Sequence, residues 1–222
     1  MTLAEAVKRR HSVRSYRNRP IEEETKKALK EEIDKCNEES GLHIQLVTDS
    51  PKAFKGLLPH YGKFSGVENY IALIGDKSPS LPEQCGYYGE RLVLLAQQLG
   101  LNTCWVGLTY KKVRRDYFLN PGEKLCLVIA LGYGTNQGFP HKSKIFSQVC
   151  KNTGAVPDWF RHGVHFALLA PTAMNQQKFQ FHLDGNRVTV KAGRGPYSKV
   201  DLGIVKYHFE IGAGHSGWSW AK

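Results

Sequence analysis

Two short motifs, near opposite ends of the chain, carry the residue types that could bind a charged ligand. The first runs from Arg9 to Tyr16 and combines arginines with serine hydroxyls, which are donors that a phosphate or another anion needs. The second runs from Ala170 to Gln177 and places a proline, small residues and a side-chain amide between an apolar segment and a predicted strand. Together they predict a site that holds a phosphorylated planar ligand from two sides.

Hydrophobic periodicity predicts the elements that position these motifs. Helices are expected over residues 2–11, 21–39, 82–99, 159–169 and 201–213, with a further short helix over 111–118. Strands are expected over residues 42–48, 70–74, 125–132, 179–183 and 188–190, with a hairpin turn at Asp184-Gly185-Asn186. Residues 52–65 are interpreted as a loop or a short helix. Gly132-Tyr133-Gly134 is interpreted as a turn, because it lacks the third glycine and the following helix of a dinucleotide loop.

The composition narrows the class of protein. The 222 residues carry a formal net charge of +11 without a long basic run, so the cations are interpreted mainly as a solvated surface, and a nucleic-acid role is not favoured. The five cysteines form no Cys-x-x-Cys pair, which argues against a disulfide framework or a zinc site and indicates a reducing, cytoplasmic compartment. The first residues lack an apolar signal core, and no apolar run approaches the roughly 18 residues of a membrane span.

The two motifs are similar to those of the nitroreductase family of flavin mononucleotide (FMN) oxidoreductases. The segment Arg10–Tyr16 resembles the family's Arg-(Arg/His)-Ser-x-(Arg/Lys)-x-(Phe/Tyr) motif. The segment from Ala170 resembles Ala-Pro-Ser-x-x-Asn-x-Gln-Pro-Trp in part, with Lys178-Phe179 in place of the final Pro-Trp. Two further elements are Trp105-Val106-Gly107 and Lys142-Ser143-Lys144. The resemblance implies an α+β fold with a central, mostly antiparallel sheet flanked by helices.

The placement of the motifs implies an unusual arrangement for this family, whose members are homodimers that build each FMN site from two subunits. Here each motif occurs once, in a different half of the chain, and Gly89 and Gly100 bracket one helix as Gly203 and Gly214 bracket another. The resemblance implies an intrachain pseudo-dimer. Its first repeat, residues 1–147, would supply the phosphate-binding half, and its shortened second repeat, residues 148–222, the flavin-ring half. One composite site would survive, in a monomer or a weak homo-oligomer.

By resemblance, the first motif and the basic pair would hold the phosphate end of the cofactor. Arg10, Lys142 and Lys144 would bind the phosphate itself. Ser12 would contact the phosphate or the ribityl chain, and His11 would contribute through its backbone. Guanidinium and ammonium groups suit this role because a phosphate monoester carries close to two negative charges at neutral pH.

The remaining candidates would surround the flavin ring. Arg14 would lie near N1 and O2, where a cation stabilises the negative charge that develops when the ring is reduced. Asn175 would hydrogen-bond the pyrimidine edge. Five residues with small side chains or useful backbone groups would complete the lining: Val106 and Gly107 near flavin N5, and Pro171, Thr172 and Ala173 along the ring.

The implied reaction needs few side chains, because the flavin carries the reactivity and the protein orients it. NADH or NADPH would give a hydride to flavin N5, and a small acceptor such as a nitroaromatic or a quinone would take the electrons. No catalytic side chain and no metal ligand are expected. Three alternatives stay open: a relative that uses flavin for dehalogenation or flavin breakdown, a flavin-binding module without turnover, and a basic nucleic-acid-binding protein.

Overall fold

The computed structural model describes residues 1–54 and 64–221. Within them lie the helices α1 Leu3–Arg9, α2 Glu23–Ser40, α3 Leu81–Gln98, α4 Phe146–Val149, α5 Asp158–Ala167 and α6 Ser198–Ala213. The strands are β1 Gln45–Val47, β2 Asn69–Asp76, β3 Asn102–Val106, β4 Glu123–Gly132, β5 Phe179–Asp184, β6 Arg187–Ala192 and β7 Ser219–Trp220. Short 3₁₀ helices span Pro51–Ala53 and Ala173–Asn175. None of the described helices has the length and apolarity of a membrane span.

The larger sheet contains antiparallel strands in the order β1-β2-β4-β3. β4, the apolar run predicted as a strand, pairs with β2 on one side and β3 on the other, so that Ile129 lies opposite both Ile71 and Trp105. Every residue of β2 except Asp76 is buried, because its alternate side chains enter two separate hydrophobic clusters. The combination of helices with an antiparallel sheet confirms the predicted α+β fold class.

A smaller sheet forms the C-terminal part of the chain. β5 and β6 make the antiparallel hairpin that the Asp-Gly-Asn turn predicts, and β7 joins β6 in parallel. The aromatic tail packs back onto the helices beside this sheet. The Trp218 ring stacks on Trp159 of α5 at a centroid distance of 5.9 Å and lies edge-on to Phe209 of α6 at 5.0 Å. These ring contacts fix the last strand against the core.

The long helices α3 and α6 pack against each other between the sheets. Their contact is reciprocal around two glycines. A Cβ atom on Gly86 would overlap the carbonyl oxygen of Val200, and a Cβ atom on Gly203 would overlap the carbonyl oxygen of Glu83. The two backbones therefore meet directly, with no side chain between them.

The structure differs from the expected elements in several places. β3, α4 and β7 have no predicted counterpart, and β1 covers only Gln45–Val47 of the expected strand 42–48. α6 begins at Ser198 rather than at Asp201. Residues 111–118 form turns instead of a short helix, because their polar groups bond to other parts of the chain. The Lys111 N–H donates to the Ala53 carbonyl, and the Asp116 carboxylate accepts from two hydroxyl groups outside this segment. Most of the segment interpreted as a loop or a short helix, residues 55–63, lies outside the described residues.

Candidate functional site

A cavity of about 390 Å³ opens where the N-terminal and C-terminal motifs meet. Its walls come from the first motif, the loop after β3, the turn before β5 and the first turns of α6. Its volume lies in the range of small-molecule and cofactor sites. The cavity brings together residues predicted from distant parts of the sequence: Ser12, Arg14, Val106, Gly107, Pro171, Thr172 and Ala173.

The first motif reaches the cavity as an extended segment beside β3. α1 ends at Arg9, and the Val13 N–H then donates to the Thr103 carbonyl at 3.0 Å. Side chains alternate along an extended chain. Val13 is therefore buried in the core, while its neighbours Ser12 and Arg14 line the cavity.

The loop after β3 meets the start of α6 at a glycine. Gly107 follows Val106, the last residue of β3, and a Cβ atom at this position would overlap the ring of Tyr197. Tyr197 immediately precedes α6, so the glycine allows the strand end and the helix start to share one wall. Cys104 of β3 also lines the cavity. Burial raises the pKa of its thiol, and the nearby Arg14 opposes this effect.

The turn before β5 has an unusual backbone. Met174, Asn175 and Gln177 have positive φ angles of 52°, 51° and 44°, a region that residues with a Cβ atom seldom enter. Such conformations persist where surrounding bonds fix them, and they are common at functional sites. One fixing bond is local, since the Gln177 N–H donates to the Thr172 hydroxyl at 3.0 Å. Backbone strain thus marks this turn as a candidate functional segment.

Asp201 fixes the same turn from α6 and also lines the cavity. Its Oδ1 accepts from the Ala173 N–H at 2.9 Å, and its Oδ2 accepts from Gln176 Nε2 at 2.6 Å. Burial raises the pKa of Asp201 to about 6, although both hydrogen bonds act in the opposite direction. Sequence reasoning missed this residue, because an aspartate in the first turn of a helix is ordinary.

Three predicted residues meet beside the cavity, outside its lining. Asn175 Nδ2 donates to the Lys142 carbonyl at 2.9 Å, and Gln177 Nε2 donates to the same carbonyl at 2.8 Å. Lys144 Nζ donates to the Gln177 carbonyl at 2.7 Å. These bonds attach the loop around Ser143 to the turn, so the Asn175 amide and the Lys144 ammonium group are already engaged. Gln177, which is buried, was not among the predicted residues.

Arg10 and His11 lie behind the cavity lining. Arg10 is 4% exposed, and its Nε has no hydrogen-bond partner within residues 1–54 and 64–221. Burial lowers the pKa of Arg10, and the nearby Glu90 opposes this effect. Burial also lowers the pKa of His11, with Arg10 and His141 acting in the same direction. This end of the site therefore contains one buried arginine, Arg10, beside a histidine whose charged form is disfavoured.

Glu90 of α3 joins Arg10 to the cavity wall. Its Oε2 accepts from Nε1 of Trp105, a lining residue, at 2.9 Å. Its Oε1 lies 2.8 Å from Nε2 of His208 and 3.8 Å from Nε of Arg10. Glu90 and His208 are fully buried. The sequence contains no signal for this cluster, because a glutamate on an amphipathic helix usually lies on the solvent face.

Two large apolar side chains are exposed at the cavity. Leu108, from the loop after β3, is 79% exposed, and Met174, from the turn before β5, is 63% exposed. Exposed apolar surface beside a cavity is typical of ligand contact. Within the part of the chain that the structure describes, no group of His, Cys, Asp or Glu residues has a metal-binding arrangement.

Comparison with known families gives one match over nearly the whole chain. The family profile with the description "Putative TM nitroreductase" matches residues 2–213. No curated protein sequence is significantly similar to this chain.

Several solved structures share the fold at low sequence identity. A "putative nitroreductase" from Thermotoga maritima is 22% identical, with a TM-score of 0.65 over 95% of this chain and 83% of that chain. A "Putative NADH dehydrogenase/NAD(P)H nitroreductase" from Parabacteroides distasonis is 23% identical, with a TM-score of 0.51 over 69% and 98%. A "putative nitroreductase" from Exiguobacterium sibiricum, solved in complex with FMN, is 16% identical, with a TM-score of 0.54 over 67% and 95%.

Proposed function

The chain belongs to this nitroreductase family, and we propose that it is an FMN-dependent oxidoreductase. In the proposed reaction NADH or NADPH is the hydride donor, and a small nitroaromatic, quinone or similar compound is the acceptor. One observation carries the proposal: residues that sequence resemblance assigns to flavin binding, from both ends of the chain, line a single cavity of about 390 Å³. The FMN complex of the Exiguobacterium sibiricum protein supports the choice of cofactor.

The residues around the cavity fit a phosphorylated flavin. Arg10 is a buried cation whose Nε has no partner in the described ranges, and Ser12 and Arg14 continue the polar surface from this end into the cavity. Small or apolar residues such as Pro171 and Ala173 form much of the remaining lining. A cationic end joined to a largely apolar space suits a phosphate joined to a ring system.

When bound, FMN would supply the redox chemistry. The chain's own residues would position the cofactor and adjust its charge. Arg14 would place a positive charge at the pyrimidine edge, and Val106 and Gly107 would offer backbone N–H groups to the ring. Asp201 would keep the strained turn in place through its bond to the Ala173 N–H. The residues around Ser143 would act indirectly, because their loop is tied to the same turn.

We further propose that residues 1–147 and 148–222 are two fused repeats that together build one FMN site. The reciprocal contact of Gly86 and Gly203 supports this arrangement, since each glycine faces a backbone carbonyl group of the other helix. The cavity supports it as well, because its walls come from both segments. The arrangement predicts one flavin per chain, in a monomer or a weak homo-oligomer.

The proposal is tested with two arginine variants of the purified protein. We expect the wild-type chain to bind FMN and to oxidise NADH or NADPH when a quinone is added. Arg14→Ala should weaken FMN binding about tenfold, because a charge-assisted contact is lost. Arg17→Ala is the matched control, since Arg17 is exposed on the same segment and lies outside the cavity lining; it should behave as wild type.

Two outcomes would contradict the enzyme proposal. Binding of FMN without oxidation of either nicotinamide would instead support a flavin-binding module without turnover. Failure to take up FMN would contradict both readings. In that case retention on DNA that falls steeply with salt would favour the nucleic-acid alternative.

A further inference from the structure

A buried group of charges connects the proposed phosphate end of the cavity to its ring wall. Glu90 of α3 lies at the centre of this group, with Arg10, Trp105 and His208 around it. Arg10 follows α1, Trp105 belongs to β3 and His208 to α6. The cluster therefore joins both ends of the chain at one carboxylate, and every one of its charged groups is shielded from solvent.

The hydrogen bonds of His208 define how it orients Glu90. Its Nδ1 lies 3.1 Å from the Phe166 carbonyl, which can only accept, so Nδ1 carries a proton. Its Nε2 lies 2.8 Å from Glu90 Oε1, a distance that requires one proton between the two atoms. The imidazole is thus fixed at both nitrogens and holds one carboxylate oxygen in place. The other oxygen is held by the Trp105 indole N–H.

Arg10 is attracted to this carboxylate but makes no hydrogen bond to it through its Nε. The distance between Arg10 Nε and Glu90 Oε1 is 3.8 Å, which is close enough for charge attraction but too long for a hydrogen bond. Glu90 accepts hydrogen bonds from Trp105 and His208, whereas the Nε of Arg10 has no hydrogen-bond partner in the described residues. A buried guanidinium with an unused donor is a costly arrangement. An anion bound to Arg10 would offset this cost.

We propose that Glu90, oriented by His208, is a positioning residue that holds Arg10 ready for a ligand phosphate and holds Trp105 in the cavity wall. This inference rests on the proposed FMN function. It adds that phosphate recognition depends on a carboxylate that does not touch the ligand. The cluster would couple the phosphate end to the ring end of one site.

Glu90→Gln replaces the carboxylate and the proton that it shares with His208 by a neutral amide, while the buried bonds are kept. Glutamine can accept from the Trp105 indole and donate to His208 Nε2, so each polar group keeps a partner. Arg10 loses the charge that orients it. We expect the preference for FMN over riboflavin, which lacks the phosphate, to fall about tenfold, since bonds to charged groups are worth this much. Riboflavin affinity should stay unchanged.

The matched control is Glu83→Gln. Glu83 also lies on α3 and pairs with α6, through Lys206 at 2.5 Å, but it is far more exposed than Glu90. This variant should keep the wild-type preference for FMN. Arg10→Ala is the reference that removes phosphate recognition, and adding Glu90→Gln to it should change the preference no further. If Glu90→Gln does not fold, Trp105→Phe replaces it: Glu90 loses the bond that holds its Oε2, so it holds Arg10 less firmly, and the preference should again fall.

The outcomes separate the inference from the function on which it rests. A wild-type chain that binds neither flavin refutes the proposed function, and the positioning role with it. A wild-type preference for FMN that survives in Glu90→Gln, or in Trp105→Phe where the first variant does not fold, overturns the inference alone. Equal weakening of both flavins in Glu90→Gln would also overturn it, because that result indicates a structural role.

Discussion

Replacing Asp201 by asparagine should change how the stability of the protein depends on pH. The Asp201 carboxylate is buried at the cavity, where it accepts from the Ala173 N–H and from Gln176 Nε2. Burial raises its pKa from the ordinary value of 3.8 to about 6. The folded protein therefore keeps a proton on Asp201 at pH values where the unfolded chain has released it.

The sign and size of the effect follow from this difference. Because the folded state binds the extra proton between about pH 4 and pH 6, the free energy of unfolding falls as pH rises through that window. The full difference in pKa corresponds to about 3 kcal/mol, most of which should be lost between pH 4 and pH 8. Asp201→Asn has no such proton, but loses the acceptor for Gln176 Nε2, at a cost of about 1 kcal/mol.

The two proteins should therefore exchange their order of stability. At pH 4 the variant is expected to be less stable than wild type by about 1 kcal/mol, and at pH 8 more stable by about 2 kcal/mol. Urea unfolding across this pH range measures both values. Asp34→Asn, on the exposed face of α2, controls for the loss of a surface carboxylate. A constant difference between wild type and Asp201→Asn at every pH would contradict a raised pKa of Asp201.

Two further substitutions test the packing and the turn. Gly86→Ala should lower the free energy of unfolding by about 3 kcal/mol or more, since its Cβ would meet the backbone of α6. Gly154→Ala, with nothing near its Cβ position, should change the free energy of unfolding by less than about 0.5 kcal/mol. Equal effects of the two substitutions in thermal unfolding would contradict the close helix contact. Asn175→Gly should lose the bond to the Lys142 carbonyl and the bond from Gln177 Nε2. Asn175→Ala loses the same bonds and should cost about 1 kcal/mol more, because it keeps a Cβ at positive φ. Equal stability of these two variants in urea would contradict the strained turn.

Elements with a strong local pattern were predicted well. The apolar spacing of α3 and the continuous apolar run of β4 depend on the burial of their own side chains, which periodicity reports. Residues 111–118 also have a helical pattern, yet their polar groups bond to Ala53 and to hydroxyls outside the segment. Such tertiary bonds cannot be predicted from the local sequence, so the short helix predicted over residues 111–118 was wrong.

The candidate site likewise contains residues that the sequence identified and residues that it did not. Motif resemblance identified Ser12, Arg14 and the small residues near Pro171, and the fold brings them to one cavity. Their roles toward FMN remain predictions. Asp201 and Glu90 could not be found from the sequence, because each is an acidic residue on a helix whose importance comes from burial and from partners that lie 15 or more positions away. Only the three-dimensional packing supplies that information.

The proposed function requires one composite flavin site in each chain. The most direct measurement is the visible absorption spectrum of the protein after incubation with FMN and removal of the excess, with the released flavin quantified against protein concentration. We expect flavin bands and about one FMN per chain. Two FMN per chain would contradict the fused-repeat arrangement, and a colourless protein would contradict the flavin site itself.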